Sequence, residues 1–182
     1  TATPLQATFN VGSLSYPDPG SGFNSSPQDL LSHCAANGIS VFRFYDYQNS
    51  VSRLTPWIRS AKAVSAQAQA AVIINSDLIK APEGLTELVE KLADSGIDSL
   101  CLQDKFSLLN ATNVTRLVAS LKAKFSLPLQ LHTHYNGSMA LAVYLKAVES
   151  GVDYLDTVSS PLAFGLSLPP AESLVYCLKD GQ

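Results

Sequence analysis

The chain has 182 residues, of which 46% are hydrophobic and only 15% are charged, and its formal net charge is −3 at pH 7. This length suits one domain with a substantial buried core, so we expect a single domain over residues 1–182. The Lys and Arg residues are scattered, which argues against nucleic-acid binding. No apolar run approaches the roughly 20 residues of a membrane span, so we expect no membrane partner.

The three cysteines, Cys34, Cys101 and Cys177, are widely spaced, and each lies in an apolar segment. An odd number of cysteines without a CxxC pair predicts buried free thiols in a reducing compartment. The start of the chain shows no signal-peptide pattern. We therefore expect a cytoplasmic protein.

Short apolar runs alternate with amphipathic segments, which predicts strand–helix units in a parallel sheet with helices outside. Pro27 follows Ser26 at a first helical position, and glycines stand where helices should end. The predicted strands are 5–9, 39–45, 70–75, 97–103, 128–133 and 153–157. The predicted helices are 27–37, 50–67, 83–95, 111–125, 138–150 and 170–179, and the stretch 10–26 is expected to be an irregular loop.

Polar side chains collect at or just beyond the carboxyl ends of the predicted strands. Parallel α/β folds place binding and catalytic groups at these ends. The residues concerned are Arg43, Asp46, Gln103, Asp104, Lys105, His132 and His134. Their convergence locates a site without naming a reaction.

Two imidazoles, those of His132 and His134, stand one residue apart at the end of an apolar run. Since residues i and i+2 of a strand point to the same face, the two rings should project together. Such a pair can offer two nitrogen ligands to one divalent metal. The alternative, two strand-end polar residues with ordinary hydrogen bonds, stays open.

Several segments resemble the carboxyltransferase domain of the biotin-dependent pyruvate carboxylase and oxaloacetate decarboxylase α-subunit family. They are Gly38–Asp46, Asp98–Asp104, Leu129–His134, Gly151–Asp156, Ser160–Gly165 and Leu168–Leu174. The resemblance implies an α/β fold, an incomplete TIM-like (βα) barrel of about six parallel units that match the third to eighth of the family barrel. It also implies a divalent metal at the carboxyl-terminal face and movement of CO₂ between biotin and a small keto acid through an enolate.

The sequence departs from the family pattern at the implied metal site. His132 and His134 match family metal ligands, but Gln103 stands where the family has a carbamylated lysine. The family's first strand, which supplies an Arg and a metal-binding Asp, and its threonine segment have no counterpart here. We therefore expect a weakly held Zn, Mn or Co ion unless Asp104, Asp46 or a partner chain adds charge. Biotin use in the family manner is not expected.

The resemblance also assigns candidate roles to other residues. Arg43 matches a family arginine that lines the substrate pocket, where it can bind a carboxylate in bidentate fashion. A salt bridge from Arg43 to Asp46 or Asp104 is the alternative. Asp46 is a candidate for orienting the substrate, or else a helix cap, and Asp104 has the same two interpretations. As catalytic groups, Gln103 or Asp104 would support the metal or the developing enolate.

Three functional hypotheses remain open at this stage. The first is an enzyme, a divergent carboxyltransferase or decarboxylase (a lyase) that acts on a small keto acid or related carboxylate. The second is a catalytically inactive descendant that serves as a dimerisation or docking domain in a larger assembly, because open sheet edges are association sites. The third is a module that binds keto acids without turnover. We expect a homodimer, or docking to another protein or domain.

Overall fold

The computed structural model describes residues 3–14, 26–137 and 139–179, which contain six parallel strands alternating with helices. The strands are β1 (Leu5–Asn10), β2 (Ile39–Tyr45), β3 (Gln67–Ile73), β4 (Ser99–Asp104), β5 (Leu129–Thr133) and β6 (Tyr154–Leu155). The helices are α1 (Val11–Leu14), α2 (Pro27–Ala36), α3 (Val51–Ala63), α4 (Ser76–Lys80), α5 (Pro82–Asp94), α6 (Ala111–Lys124), α7 (Ala140–Glu149) and α8 (Ala171–Lys179), with a 3₁₀ helix at Ser160–Leu162.

Each strand is hydrogen-bonded to its neighbours in sequence, so the sheet order is β1-β2-β3-β4-β5-β6. Sequential parallel strands joined by helices are the arrangement of part of a TIM-like (βα) barrel, which confirms the predicted fold class. Strand β4 is buried along nearly its whole length, as expected for a parallel strand covered on both faces. At the other extreme, β6 has only two residues.

The chain divides into two compact units, and the expectation of a single domain stays a prediction. The first unit comprises Thr1–Ile73 and Leu88–Leu100, and the second comprises Ile74–Glu87 and Cys101–Gln182.

An aromatic cluster forms the core of the first unit beneath α3. Phe42 and Phe44 stand two residues apart on β2, so they point to the same face, and both are fully buried. The Phe9 ring lies 6.0 Å from the rings of both residues, and Trp57 of α3 lies 6.0 Å from Phe44. Because these side chains occupy one face of β2, Arg43 between them is directed to the opposite face.

The core of the second unit contains buried side chains of α6, α7 and β5. Helix α6 buries Leu117, Val118 and Leu121, and α7 buries Val143 and Tyr144. The Tyr144 hydroxyl donates to the carbonyl oxygen of Asp156 at 2.6 Å and accepts from the backbone N–H of Thr133 at 3.2 Å. This hydroxyl therefore joins the ends of β5 and β6.

Some local expectations were wrong. Part of the predicted 10–26 loop is helix α1, and residues 15–25 lie outside the described residues. Helix α4 was not predicted because it has five residues and no buried side chain to give an apolar period. Of the thiols, Cys101 is buried, but Cys34 is half-buried and Cys177 is exposed, because α8 buries only Leu174. Among the described residues no helix has the length and apolarity needed to cross a membrane.

Candidate functional site

Asp104 and Thr133 define one face of the sheet at the ends of β4 and β5. Asp104 is fully buried, and its Oδ2 accepts from the Thr133 hydroxyl at 3.1 Å. The two carboxylate oxygens also accept from the backbone N–H groups of Leu108 and Leu109, each at 2.9 Å. Asp104 thus organises the loop that follows β4, which favours a structural role, and its catalytic role stays a prediction.

The opposite face carries the predicted metal-binding residues. Side chains alternate along a strand, so the contact between Asp104 and Thr133 directs Gln103, His132 and His134 together to the other side. The rings of His132 and His134 lie 5.0 Å apart between centroids. The structure therefore brings these three residues to one face.

His132 is held by Asp156, the residue after β6. Its Nδ1 lies 2.7 Å from Oδ2 of Asp156, and the other oxygen of Asp156 accepts from the side chain of Gln130. In the neutral ring Nδ1–H donates to this carboxylate, so Nε2 carries the lone pair. Nε2 is buried and has no hydrogen-bond partner among the described residues. Carboxylate–histidine pairs of this kind orient metal ligands in proteins.

Gln103 presents a second buried acceptor on the same face. Its side chain is only 4% exposed, and its Oε1 has no hydrogen-bond partner in the described part of the chain. Buried polar atoms without partners are rare in folded proteins and need an explanation. A bound ligand or ion that meets both Gln103 Oε1 and His132 Nε2 would supply one.

His134 is held by a backbone carbonyl. Its Nδ1 lies 2.7 Å from the oxygen of Leu166, so Nε2 again carries the lone pair in the neutral ring. The pKa of His134 is lowered, first by burial and then by electrostatic repulsion from His132 and Lys105, whereas the hydrogen bond to Leu166 and the charge of Asp104 oppose the shift. The lowered pKa favours the neutral ring, which is the form that can bind a metal.

The nitrogen and oxygen donors of His132, His134 and Gln103 suit a divalent ion of intermediate softness, but none of the three donors carries a negative charge. Two imidazole nitrogens and one amide oxygen are ligands that Zn²⁺ or Co²⁺ accepts, whereas Mn²⁺ is better served by carboxylates. Among the described residues no group of three or more His, Cys, Asp or Glu side chains is placed to hold a metal. Any ion at this face would therefore bind through neutral donors and be held weakly.

In the first unit, Arg43 lies in a polar cluster with two glutamines. Arg43 is 3% exposed, and its Nε donates to Oε1 of Gln69 at 2.5 Å. The Gln6 side-chain oxygen, turned towards the guanidinium, accepts from Nη2 at 3.0 Å. Gln69 in turn donates to the Ser99 hydroxyl at 3.0 Å. A guanidinium can donate to a carboxylate in bidentate fashion.

Asp46, also in the first unit, lies at the entry to α3. Its Oδ1 pairs with Arg53 at 3.1 Å, and its Oδ2 accepts from the backbone N–H groups of Gln48 and Ser50 at 3.2 and 3.0 Å. Gly12 packs so closely that an added Cβ would lie 2.7 Å from Oδ1 of Asp46. These contacts favour the capping interpretation of Asp46, and its substrate-orienting role stays a prediction.

The sequence model of the HMGL-like family matches residues 39–160, more than half of the chain. The chain therefore belongs to the HMGL-like family, and it is a carboxyltransferase-like domain of that family.

The chain is similar in sequence to pyruvate carboxylases, as the resemblance predicts. The chain is 35% identical over 181 residues to a pyruvate carboxylase subunit of Methanocaldococcus jannaschii, a match that covers 97% of this chain and 31% of that protein. It is 30% identical over 183 residues to pyruvate carboxylase of Bacillus subtilis, covering 97% of this chain and 15% of that protein. The chain thus spans about a third or less of the length of these relatives.

Among solved structures, the carboxyl transferase domain of Rhizobium etli pyruvate carboxylase with pyruvate superposes with a TM-score of 0.86. The sequence identity is 25%, and the match covers 97% of this chain and 30% of that one. The resemblance that the motifs predicted is confirmed.

Two contacts of the site were not predicted. Asp156 lies inside the predicted strand 153–157, but it was not predicted as the partner of His132. The Leu166 carbonyl that holds His134 is a backbone group, and no sequence pattern could have indicated it.

Proposed function

We propose that the chain is a metal-dependent carboxyltransferase-like domain that decarboxylates a small keto acid or transfers its carboxyl group. The observation that carries this proposal is the pair of buried acceptors on one face, His132 Nε2 and Gln103 Oε1, which have no hydrogen-bond partner among the described residues. His132 matches a metal ligand of the family that the motifs resemble, and Gln103 stands at the position of that family's carbamylated lysine.

His132, His134 and Gln103 are the proposed ligands. A divalent ion held there would act as a Lewis acid towards the carbonyl group of a keto acid. Asp156 would keep the His132 ring in the Nδ1–H tautomer, and the Leu166 carbonyl would do the same for His134. Gln103 cannot bear a carbamate, so the chain itself contributes no negative charge through that position.

Simple decarboxylation requires least from such a site. Oxaloacetate would lose its distal carboxylate as CO₂, the electron pair of the broken C–C bond would remain on the enolate of pyruvate, and solvent would supply a proton to carbon. The positive charge of Lys105 acts on His134, and it would also favour an anionic substrate near this face. That biotin is not used in the family manner stays a prediction, as does a cytoplasmic location.

Arg43 is the proposed carboxylate-binding group of the first unit. Its burial and its amide neighbours Gln69 and Gln6 support this role, since charged hydrogen bonds are strong where water is excluded. Arg43→Lys would remove the bidentate geometry while keeping the charge. We expect it to weaken binding of pyruvate by about tenfold, as measured by isothermal titration calorimetry, because a bidentate charged pair is worth more than a single contact.

The deciding experiment is metal analysis of the protein after incubation with Zn²⁺ or Co²⁺ and removal of free ion. The wild type should retain close to one equivalent, and His132→Ala should lose it. His33→Ala is the matched control, since His33 is exposed on α2 and its Nδ1 bonds within the helix to the Asp29 carbonyl. A folded wild type that retains no ion would overturn the metal-dependent reaction.

Oxaloacetate decarboxylation then tests turnover in the metal-loaded protein. Free ions also catalyse this reaction, so His132→Ala at the same total ion concentration sets the background. Wild-type rates equal to that background, with metal bound, would leave the keto-acid-binding module as the better description.

A docking domain without activity is the second candidate, and the exposed apolar side chains of the second unit favour it. Leu162, Leu166 and Tyr176 are 69%, 81% and 76% exposed, and each offers apolar area that a partner could cover. A metal-free wild type that forms a concentration-dependent dimer in sedimentation equilibrium, abolished by Leu166→Ser or Tyr176→Ser, would support this candidate.

A further inference from the structure

The segment between β6 and α8 contains a closed loop, residues 159–169, whose two ends are joined at the base. The backbone N–H of Val158 donates to the carbonyl oxygen of Pro169 at 3.2 Å, and Ala171 N–H donates to the carbonyl oxygen of Val158 at 2.8 Å. Ser160 adds a further link, because its N–H and hydroxyl both donate to the Glu172 carboxylate. These hydrogen bonds hold the base of the loop in place, and none of them involves the residues that the tip contacts.

The tip of the 159–169 loop lies against the residues that follow β5. Tyr135 N–H donates to the carbonyl oxygen of Ser167 at 2.8 Å, and the Tyr135 and Phe164 rings meet edge to face, with centroids 5.1 Å apart. Between these two contacts, the Leu166 carbonyl oxygen lies 2.7 Å from Nδ1 of His134. The tip thus contacts a proposed metal ligand through a backbone group.

The backbone of the tip is strained. Phe164 has a φ of 74° and Gly165 a φ of 58°, so two successive residues adopt the left-handed region. Glycine adopts this region without penalty, but a bulky side chain such as Phe does so only when its surroundings hold it there. Here the edge-to-face contact with Tyr135 and a tight turn, in which Ser167 N–H donates to the Phe164 carbonyl at 3.0 Å, hold it.

We propose that the 159–169 loop is the positioning element of His134. The Leu166 carbonyl accepts Nδ1–H and so reserves the Nε2 lone pair for a ligand, and the contact of Phe164 with Tyr135 keeps Leu166 in place. A neutral imidazole without such a partner populates both tautomers. Phe164 therefore acts through Leu166 as a positioning residue. The value of this arrangement for metal binding rests on the proposed function, but the tautomer itself does not.

The test is the tautomer of His134 in the metal-free protein, read from long-range ¹H–¹⁵N correlations of the imidazole rings at a pH where the ring is neutral. The chain has only three histidines, so His33→Ala and His132→Ala assign the signals. The wild type should show His134 as a single Nδ1–H tautomer. Phe164→Ala, which loses the ring contact and leaves a strained residue, should convert the signal to a mixture of both tautomers.

Further variants separate the ring contact from the backbone strain. Phe164→Tyr keeps the ring and should show the same His134 tautomer as the wild type. Phe164→Gly loses the ring but tolerates the left-handed φ. Its share of the second tautomer should therefore lie between those of the wild type and Phe164→Ala. Leu162→Ala is the matched control, because Leu162 lies on the same loop, is 69% exposed and should leave the tautomer unchanged. If Phe164→Ala does not fold, Phe164→Gly serves in its place. A single Nδ1–H tautomer in folded Phe164→Ala and Phe164→Gly would overturn the proposal.

Metal titration gives a second, separate result. Loss of an outer partner of a metal-binding histidine costs about 10–100-fold in affinity, so Phe164→Ala should weaken Zn²⁺ or Co²⁺ binding by that factor while Leu162→Ala should not. A wild type that binds no ion would refute the proposed function alone, since the tautomer comparison decides the role of the loop without any metal. Equal affinities in a wild type and a Phe164→Ala variant that both bind the ion would contradict the positioning role.

Discussion

The two faces of the sheet at the ends of β4 and β5 differ in how their polar groups are satisfied. On one face, the buried Asp104 carboxylate accepts from two backbone N–H groups and from the Thr133 hydroxyl. On the other, Gln103 Oε1 and His132 Nε2 are buried and lack partners among the described residues. Neighbouring residues of β4 and β5 thus differ: the hydrogen bonds of Asp104 on one face are satisfied, and the acceptors of Gln103 and His132 on the other face are not.

Under the proposed function, the ends of β4 and β5 serve folding through one face and ligand binding through the other. Because alternate side chains point to opposite faces, Asp104 can stabilise the loop after β4 while Gln103, its neighbour, remains available to a ligand. A buried acceptor without a partner costs free energy, so the face that carries Gln103 and His132 contributes less to stability than the face that carries Asp104. Variants on the two faces should therefore separate stability from binding.

The largest effect is expected from Asp104→Ala. Three donors lose their acceptor in a fully buried position, so we expect the free energy of unfolding to fall by about 3–5 kcal/mol, as measured by urea unfolding. Thr133→Val, which removes one donor and leaves both amide contacts, should cost only about 1 kcal/mol. Similar losses for the two variants would show that the Asp104 network does not organise the loop.

Asp156→Asn should act on binding more than on folding. The amide oxygen can still accept from His132 Nδ1, but it lacks the charge that strengthens the contact, so metal affinity should fall by about tenfold or more, as measured by competition with a chelating indicator. Asp153→Asn is the control, since Asp153 lies three residues away and bonds to Lys122 and to the Leu129 N–H instead. Equal affinity in Asp156→Asn and the wild type would remove Asp156 from the site.

The smallest expected effect is the contribution of Asp153 to the pH dependence of the free energy of unfolding. Burial opposes the shift, but hydrogen bonds from Lys122 and from the Leu129 N–H lower the pKa of Asp153 below its ordinary value of 3.8. Since the folded state favours the ionised form, the stabilisation is complete above about pH 4 and is lost as the pH falls through the folded-state pKa.

The measurement is the difference in unfolding free energy between the wild type and Asp153→Asn as a function of pH. We expect about 0.5–1 kcal/mol at pH 6, a value discounted for solvent screening because the Asp153 side chain is 38% exposed, and a smaller difference below pH 4. Glu87→Gln, an exposed change on α5, should show no such loss. A difference that grows as the pH falls would contradict the assigned direction of the shift.

The sequence Gly–x–Asp occurs at Gly96–Asp98 and again at Gly151–Asp153, and the two copies make the same contacts in the structure. Asp98 accepts from Lys62 at 2.6 Å and from the Ala68 N–H at 2.8 Å, and Asp153 accepts in the same way from Lys122 and the Leu129 N–H, at 2.8 and 2.7 Å. Each Asp follows a helix-ending Gly with a φ near 90°. The Gly–x–Asp pattern thus recurs where one strand begins beside another.

Strand boundaries were predicted less well where polar side chains lie inside the sheet. Strand β3 was expected at 70–75 and is found at Gln67–Ile73, because Gln69 is buried against Arg43 rather than exposed at a loop. An apolar run is a reliable sign of a strand only when both faces meet apolar neighbours. The polar cluster of Arg43 and its glutamines is a tertiary feature, and no local pattern of residues indicates it.

Local sequence was enough to establish the succession of strands and helices, the glycines that end the helices, and the shared face of His132 and His134, because periodicity and backbone conformation are local properties. Which acceptors are satisfied depends instead on the folded chain. Asp104 meets the Thr133 hydroxyl of the neighbouring strand, Asp156 reaches His132 from the position after β6, and Leu166 reaches His134 from a loop. Such contacts depend on which segments the fold places side by side, and so they follow from packing rather than from spacing.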